Sequence, residues 1–124
     1  MDLTRPAVAL RAAGTQAELE RRLDDARSRY AEAWRIAADD YERCIAAHYL
    51  GHMEDDPVEA LRWHRAALEH ALRAQPDLVA AFLPSLYVNL GRSYELSGDG
   101  AQSARYYSLA AELGLVHRPE QALD

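Results

Sequence analysis

The sequence predicts an all-α protein, and three observations lead there. First, almost half of its 124 residues are hydrophobic, many of them Ala, and the charged residues are mostly Arg and Glu. These side chains lose little rotamer freedom in a helix. Second, Val and Ile are sparse, which disfavours a sheet. Third, the larger apolar residues recur at steps of three or four, the spacing of one helix face.

Taken in order, Thr4 and Pro6 suit the start of a short helix reaching Ala13, with Gly14 as its stop. Residues 1–14 thus read as a short N-terminal helix ahead of one helical domain at 15–113. Thr15 opens that domain, and Glu18 completes a capping box with it. Between residue 15 and Leu50 there is no Pro or Gly. Leu19, Leu23, Tyr30, Trp34, Tyr41, Ile45 and Tyr49 form one stripe, with Ala26 and Ala37 between. This predicts a single long N-terminal helix, bent near Ala37-Ala38. Such length suggests a coiled-coil-like or repeat setting. Asp56 is a good N-cap and Pro57 a good first residue for a helix running to Ala74. Pro76-Asp77 opens another to Ser97, kinked at Pro84. A last helix covers 101–113, and a frayed tail with Pro119 follows at 114–124.

Composition also narrows the function classes. The net charge is −6, the wrong sign for a nucleic-acid surface. All 14 basic residues are Arg, so neither a lysine Schiff base nor a P-loop lysine can exist. Cys44 is the single cysteine, which rules out an internal disulfide. The start Met-Asp-Leu-Thr-Arg-Pro has no apolar signal core, and no apolar run has the length of a membrane span. The expectation is a cytoplasmic protein without membrane contact. No Gly-rich phosphate loop, nucleophile elbow or paired-carboxylate pattern is present.

Residues 87–113 carry the most information. Tyr87, Leu90-Gly91, Tyr94, the turn Gly98-Asp99, Tyr107 and Ala110 resemble one tetratricopeptide repeat, a helix–turn–helix unit of about 34 residues. Gly91 and Ala110 let two backbones approach, Tyr94 and Tyr107 fill the gap, and Gly98 ends the first helix. A degenerate second copy lies at 41–70. It puts Ala47 at the place of Gly91, Leu50 at Tyr94, His64 at Tyr107 and Ala67 near Ala110. No resemblance is read before about residue 38. The fold implied is antiparallel helical hairpins, at 41–70 and 85–113, following the long helix. Such arrays need caps. The long helix would supply one, and a homodimer the other.

The resemblance implies a concave groove lined by the first helix of each repeat, with ligand-facing positions three, four or seven residues apart. Carried over, these are Tyr41, Cys44, His48 and His52, then Ser85, Val88, Asn89, Arg92 and Glu95. Asn89 stands before the Leu-Gly pair, where family members often carry Asn that bonds a bound peptide. Arg92 would hold partner carboxylates, as Arg does in bidentate fashion. The function implied is non-enzymatic binding of a protein or peptide, as adaptor or regulator, without a cofactor.

A rival reading starts from His48 and His52, spaced i, i+4 on one helix face, with Cys44 one turn earlier. Completed by His64, Glu54 or Asp55, they would bind a metal. With Tyr41 and Tyr87 they would line a small-molecule pocket. A catalytic role for Cys44 would need a base and an oxyanion site, neither identifiable. Trp63 and His64 point about 100° apart and form no shared site. Arg21, Arg22, Arg27 and Arg29 alternate with Asp24 and Asp25, the pattern of a solvated, ion-paired face. The Leu19–Trp34 stripe would hold a structural homodimer.

Overall fold

A computed structural model describes residues 2–114. Among them, all regular structure is helical: α1 (Pro6–Leu19), α2 (Leu23–Ile36), α3 (Asp40–Met53), α4 (Pro57–Arg73), α5 (Pro76–Val79), α6 (Leu83–Leu96) and α7 (Gly100–Glu112). The tail expected at 114–124 lies outside the described residues except for Gly114.

The long N-terminal helix does not exist. Residues 15–50 fall into three helices, with breaks at 20–22 and 37–39. Arg21 makes the first break by adopting a left-handed backbone, φ 63°, and the Arg22 amide turns back to the Ala17 carbonyl at 2.9 Å. The second break turns extended at Ala37 and is closed by side chains. Asp39 Oδ1 accepts from the Glu42 amide at 2.9 Å, while Glu42 Oε1 accepts from the Ala38 amide at 2.9 Å. Arg5 donates to both carboxylates, at 3.0 and 2.9 Å. Glu42 is therefore buried but fully engaged.

Gly14 does not stop α1, which runs through it to Leu19. Thr15 and Glu18 form no capping box because both lie inside that helix. Thr15 Oγ1 donates instead to the Arg11 carbonyl at 3.1 Å. Pro84 likewise does not kink a helix. It occupies the first turn of α6, after the short α5, where a missing amide hydrogen costs nothing. The caps at Asp56-Pro57 and at Gly98 (φ 85°) are as expected. Asp56 Oδ1 accepts from the Val58 amide at 3.0 Å, and the Asp99 amide reaches the Tyr94 carbonyl at 2.9 Å.

The helices pair as three antiparallel hairpins, α1–α2, α3–α4 and α6–α7, stacked so that α2 meets α3 and α4 meets α6. One packing device recurs in all three. A glycine on the first helix admits a ring from the second: Tyr30 at Gly14, His64 at Gly51, Tyr107 at Gly91. A Cβ on these glycines would come within 2.6, 2.6 and 2.7 Å of the ring atoms. Three residues after each ring stands a buried alanine, Ala33, Ala67 or Ala110. The middle hairpin thus has Gly51, not Ala47, at the place of Gly91, and the pattern extends to the first hairpin, where none is expected.

Small residues dominate the interior, so the backbones lie close. Ala47, Ala67 and Ala71 pack with Cys44, Val79 and Leu86; Ala17 and Ala26 pack with Tyr30 and Leu50. Trp34 borders all three core clusters and meets Trp63 edge-on at 5.2 Å. The stripe from Leu19 to Trp34 is not one continuous surface: Tyr30 is fully buried inside the chain, while Leu19 and Leu23 are exposed. No helix is long and apolar enough to cross a membrane among the described residues.

Candidate functional site: a groove built by the first helices

The first helices of the hairpins share one face: α1 packs on α3, and side chains of α1, α3 and the start of α6 line one cavity. Between them is a cavity of ≈ 120 Å³. Arg11 comes from α1, Cys44, Ile45, His48 and Tyr49 from α3, and Phe82, Ser85 and Leu86 from the start of α6. The same face continues as a wider trough between α1 and α3, bordered by Thr15, Glu18, His48, Tyr49 and His52.

Each wall has a local reason. Arg11 is only 7 % exposed, and its guanidinium lies over the Tyr49 ring at 5.2 Å. A planar cation tolerates that burial when it stacks on an aromatic face. Tyr49 in turn stacks on Tyr30 at 5.2 Å. Cys44 forms the apolar floor. It is 1 % exposed, and burial pushes its thiol up to about 12, so it remains protonated and non-nucleophilic at neutral pH. His48 borders both cavities, and Asn89 Nδ2 lies 3.4 Å from its Nδ1.

His48, His52 and His64 form a cluster with ring centroids 4.6, 5.6 and 6.4 Å apart. Burial, with smaller contributions from neighbouring histidines, lowers His48 to about 3 and His64 to about 4. Both are therefore neutral at physiological pH. Among the described residues, His64 Nδ1 is buried without a hydrogen-bond partner. Despite the i, i+4 pair, no three His, Cys, Asp or Glu side chains are set to hold one metal ion among the described residues.

Of the residues expected in the groove, Cys44, His48 and Ser85 line the cavity, His52 lines the trough, and Asn89 touches His48. Tyr41 stands beyond the cavity, stacked on Phe82 at 6.3 Å and covered by Arg5 at 5.4 Å. Val88 is buried and lines neither cavity, because it lies about 100° round the helix from Asn89. Arg92 and Glu95 are exposed further along α6, and Glu95 accepts from the Tyr107 hydroxyl at 3.0 Å. Arg11, Tyr49 and Phe82 were not expected there. Trp63 and His64 do diverge, one toward Trp34 and the other toward the histidine cluster.

Comparison with family models and with curated proteins gives no match.

Proposed function

We propose that the protein is a tetratricopeptide-like array of three hairpins that binds a protein or peptide segment in its groove, without catalysis. One observation carries this reading: among the described residues, the cavity walls come only from the first helix of each hairpin and the residue that caps α6. A surface shared among repeats suits an extended ligand that crosses them.

A small cavity beside an open trough of ≈ 500 Å³ suits a peptide better than an enclosed metabolite. Ligand pockets that enclose drug-sized molecules run to about 300–1,000 Å³. A cavity of ≈ 120 Å³ takes one side chain-sized group. The open trough beside it would carry the neighbouring backbone, and Asn89 offers an amide at the edge. On this reading affinity depends on one apolar anchor over Cys44, Ile45 and Leu86, with polar groups at the rim.

The test is selection of a displayed random-peptide library on the full chain, followed by titration of the enriched peptides. Ser85→Tyr closes the cavity mouth from an exposed position, and Arg92→Glu reverses charge further along the same helix. Peptides sharing one apolar position, and losing at least about tenfold in affinity with Ser85→Tyr at unchanged helicity, are expected. Arg92→Glu is expected to weaken binding less. Peptides indifferent to Ser85→Tyr, or no enrichment at all, would overturn the groove reading.

A further inference from the structure

We propose that His48, His52 and His64 form an acid-sensitive latch that joins the middle hairpin to the groove, so that proton uptake opens the α3–α4 seam and dismantles the groove wall. This regulation rests on the groove reading only for its consequence. The opening is a property of the chain alone.

The geometry carries the inference. His64 is wedged into the notch at Gly51, where an added Cβ would meet three of its ring atoms within 2.9 Å. Its ring faces those of His48 and His52 across the seam. His48 then reaches α6 through Asn89 and forms part of both cavities. Three imidazoles therefore connect α4, α3 and α6 in one layer. His52 is exposed to water, but His64 is buried and His48 half-buried, so charging these two would place positive charges close together with little water, a costly arrangement.

Around His48 and His64 the described side chains are mostly uncharged. On α3, Cys44 is a buried protonated thiol, and Tyr49 meets His48 edge-on at 5.1 Å. From α6 come Asn89 and Ser85, both uncharged, with Arg92 further along. From α1 come the cation Arg11 and the carboxylate Glu18, the latter accepting the Tyr30 hydroxyl at 2.8 Å. From α2, Arg27 donates to the Met53 carbonyl at 2.8 Å, adding another cation near the end of α3. In the other two hairpins the glycine notch holds a tyrosine, whose charge does not change in this pH range.

The sign follows from linkage. The open state binds protons at the ordinary histidine value of about 6.5, whereas His48 and His64 in the closed state bind them only near 3 and 4. The closed state is undisturbed above about 6.5 and loses ground as pH falls below it. By pH 5 each of the two histidines favours opening by about thirtyfold, or about a thousandfold together.

The experiment is amide hydrogen exchange on the full chain between pH 7.5 and 5, corrected for intrinsic exchange rates. Wild type should show opening of α3 and α4 rising by hundreds-fold or more, with α1, α2 and α7 rising far less. His48→Gln and His64→Tyr should each remove about thirtyfold of that rise. The first keeps an amide toward Asn89, and the second installs the ring used in the flanking hairpins. Opening that is flat with pH, or rises equally in all helices, would overturn the latch. So would both variants behaving as wild type. A pH-dependent opening in a chain that selects no peptides would leave the latch standing and remove the groove reading.

Discussion

The middle hairpin and its two neighbours use the same socket but fill it differently. At Gly14 and Gly91 the incoming ring is a tyrosine, and its hydroxyl emerges on the far side to find a partner. Tyr30 lies 2.8 Å from Glu18 and 3.1 Å from Thr15, and Tyr107 donates to Glu95 at 3.0 Å. At Gly51 the ring is His64, too short to pass through, and its Nδ1 is buried without a bond among the described residues. A shared socket with unequal polar satisfaction makes the middle of the array its chemically sensitive part. The ends of the array also differ. Tyr30 is enclosed, packed with Ala17, Ala26, Leu50 and Met53, whereas Tyr107 sits at the last hairpin and is partly exposed.

The largest expected effect breaks the enclosed socket. Tyr30→Ala empties a fully buried site and should cost about 3–5 kcal/mol, the usual range for a lost core aromatic. Tyr107→Ala should cost clearly less, because fewer buried neighbours lose contacts. Urea midpoints for the pair measure the difference. Equal losses would mean that the two ends of the array are packed alike.

Filling the notch from the other side gives a smaller effect that grades the three hairpins. Alanine at Gly14, Gly51 or Gly91 gains about 1 kcal/mol in helix propensity. Its Cβ, however, meets a rigid ring at 2.6–2.7 Å, and such overpacking costs about 1–3 kcal/mol. The ring must move, and freedom to move decides the net sign. Gly14→Ala should be destabilising by about 1–2 kcal/mol, because Tyr30 is held on every side. Gly91→Ala should stay within about 1 kcal/mol of wild type, because Tyr107 can swing outward. Gly51→Ala should fall between them, and it should also displace His64 from the histidine cluster. The order of thermal midpoints checks the grading, and a reversed order of Gly14 and Gly91 would contradict it.

These notches also explain what was legible in the sequence. Helix ends marked by strong local chemistry, such as Asp56-Pro57 and Gly98-Asp99, could be read directly. The breaks at 20–22 and 37–39 could not. Arg21 and Ala37 are good helix formers, and the chain leaves the helix there because hairpin closure buries Tyr30 and Trp34. Gly14 misled in the opposite sense: it reads as a stop and acts as a socket. The spacing shared by Gly14, Tyr30 and Ala33 with Gly91, Tyr107 and Ala110 was the available signal for the first hairpin. On the site, Cys44, His48 and Ser85 were recoverable through the tetratricopeptide resemblance, which assigns ligand-facing positions to the first helix of each repeat. Arg11 and Tyr49 were missed because their roles depend on α1 being the first helix of a hairpin. Val88 was misplaced by one position around α6, which is enough to bury a side chain.

The smallest effect isolates the hydroxyl from the ring. Tyr30→Phe keeps the packing in the Gly14 notch but removes the oxygen that lies near Thr15 and Glu18. That oxygen is held in a partly buried setting, and burial above all pushes its ionisation up to about 12, so it is a neutral donor throughout the stable range. A hydrogen bond of this kind contributes about 0.5–1.5 kcal/mol, and Glu18 loses its donor as well. A loss of about 1–2 kcal/mol is therefore expected for Tyr30→Phe. Tyr107→Phe removes one exposed bond to Glu95, where water replaces the lost partner, and should change stability by only a few tenths. The two Phe variants differ from their parents by the same atom, so their urea midpoints compare the two environments alone. If Tyr107→Phe cost as much as Tyr30→Phe, polar satisfaction at the notch would be a property of the socket itself. The unbonded His64 nitrogen would then be a fault in the middle hairpin that its depressed basicity does not explain.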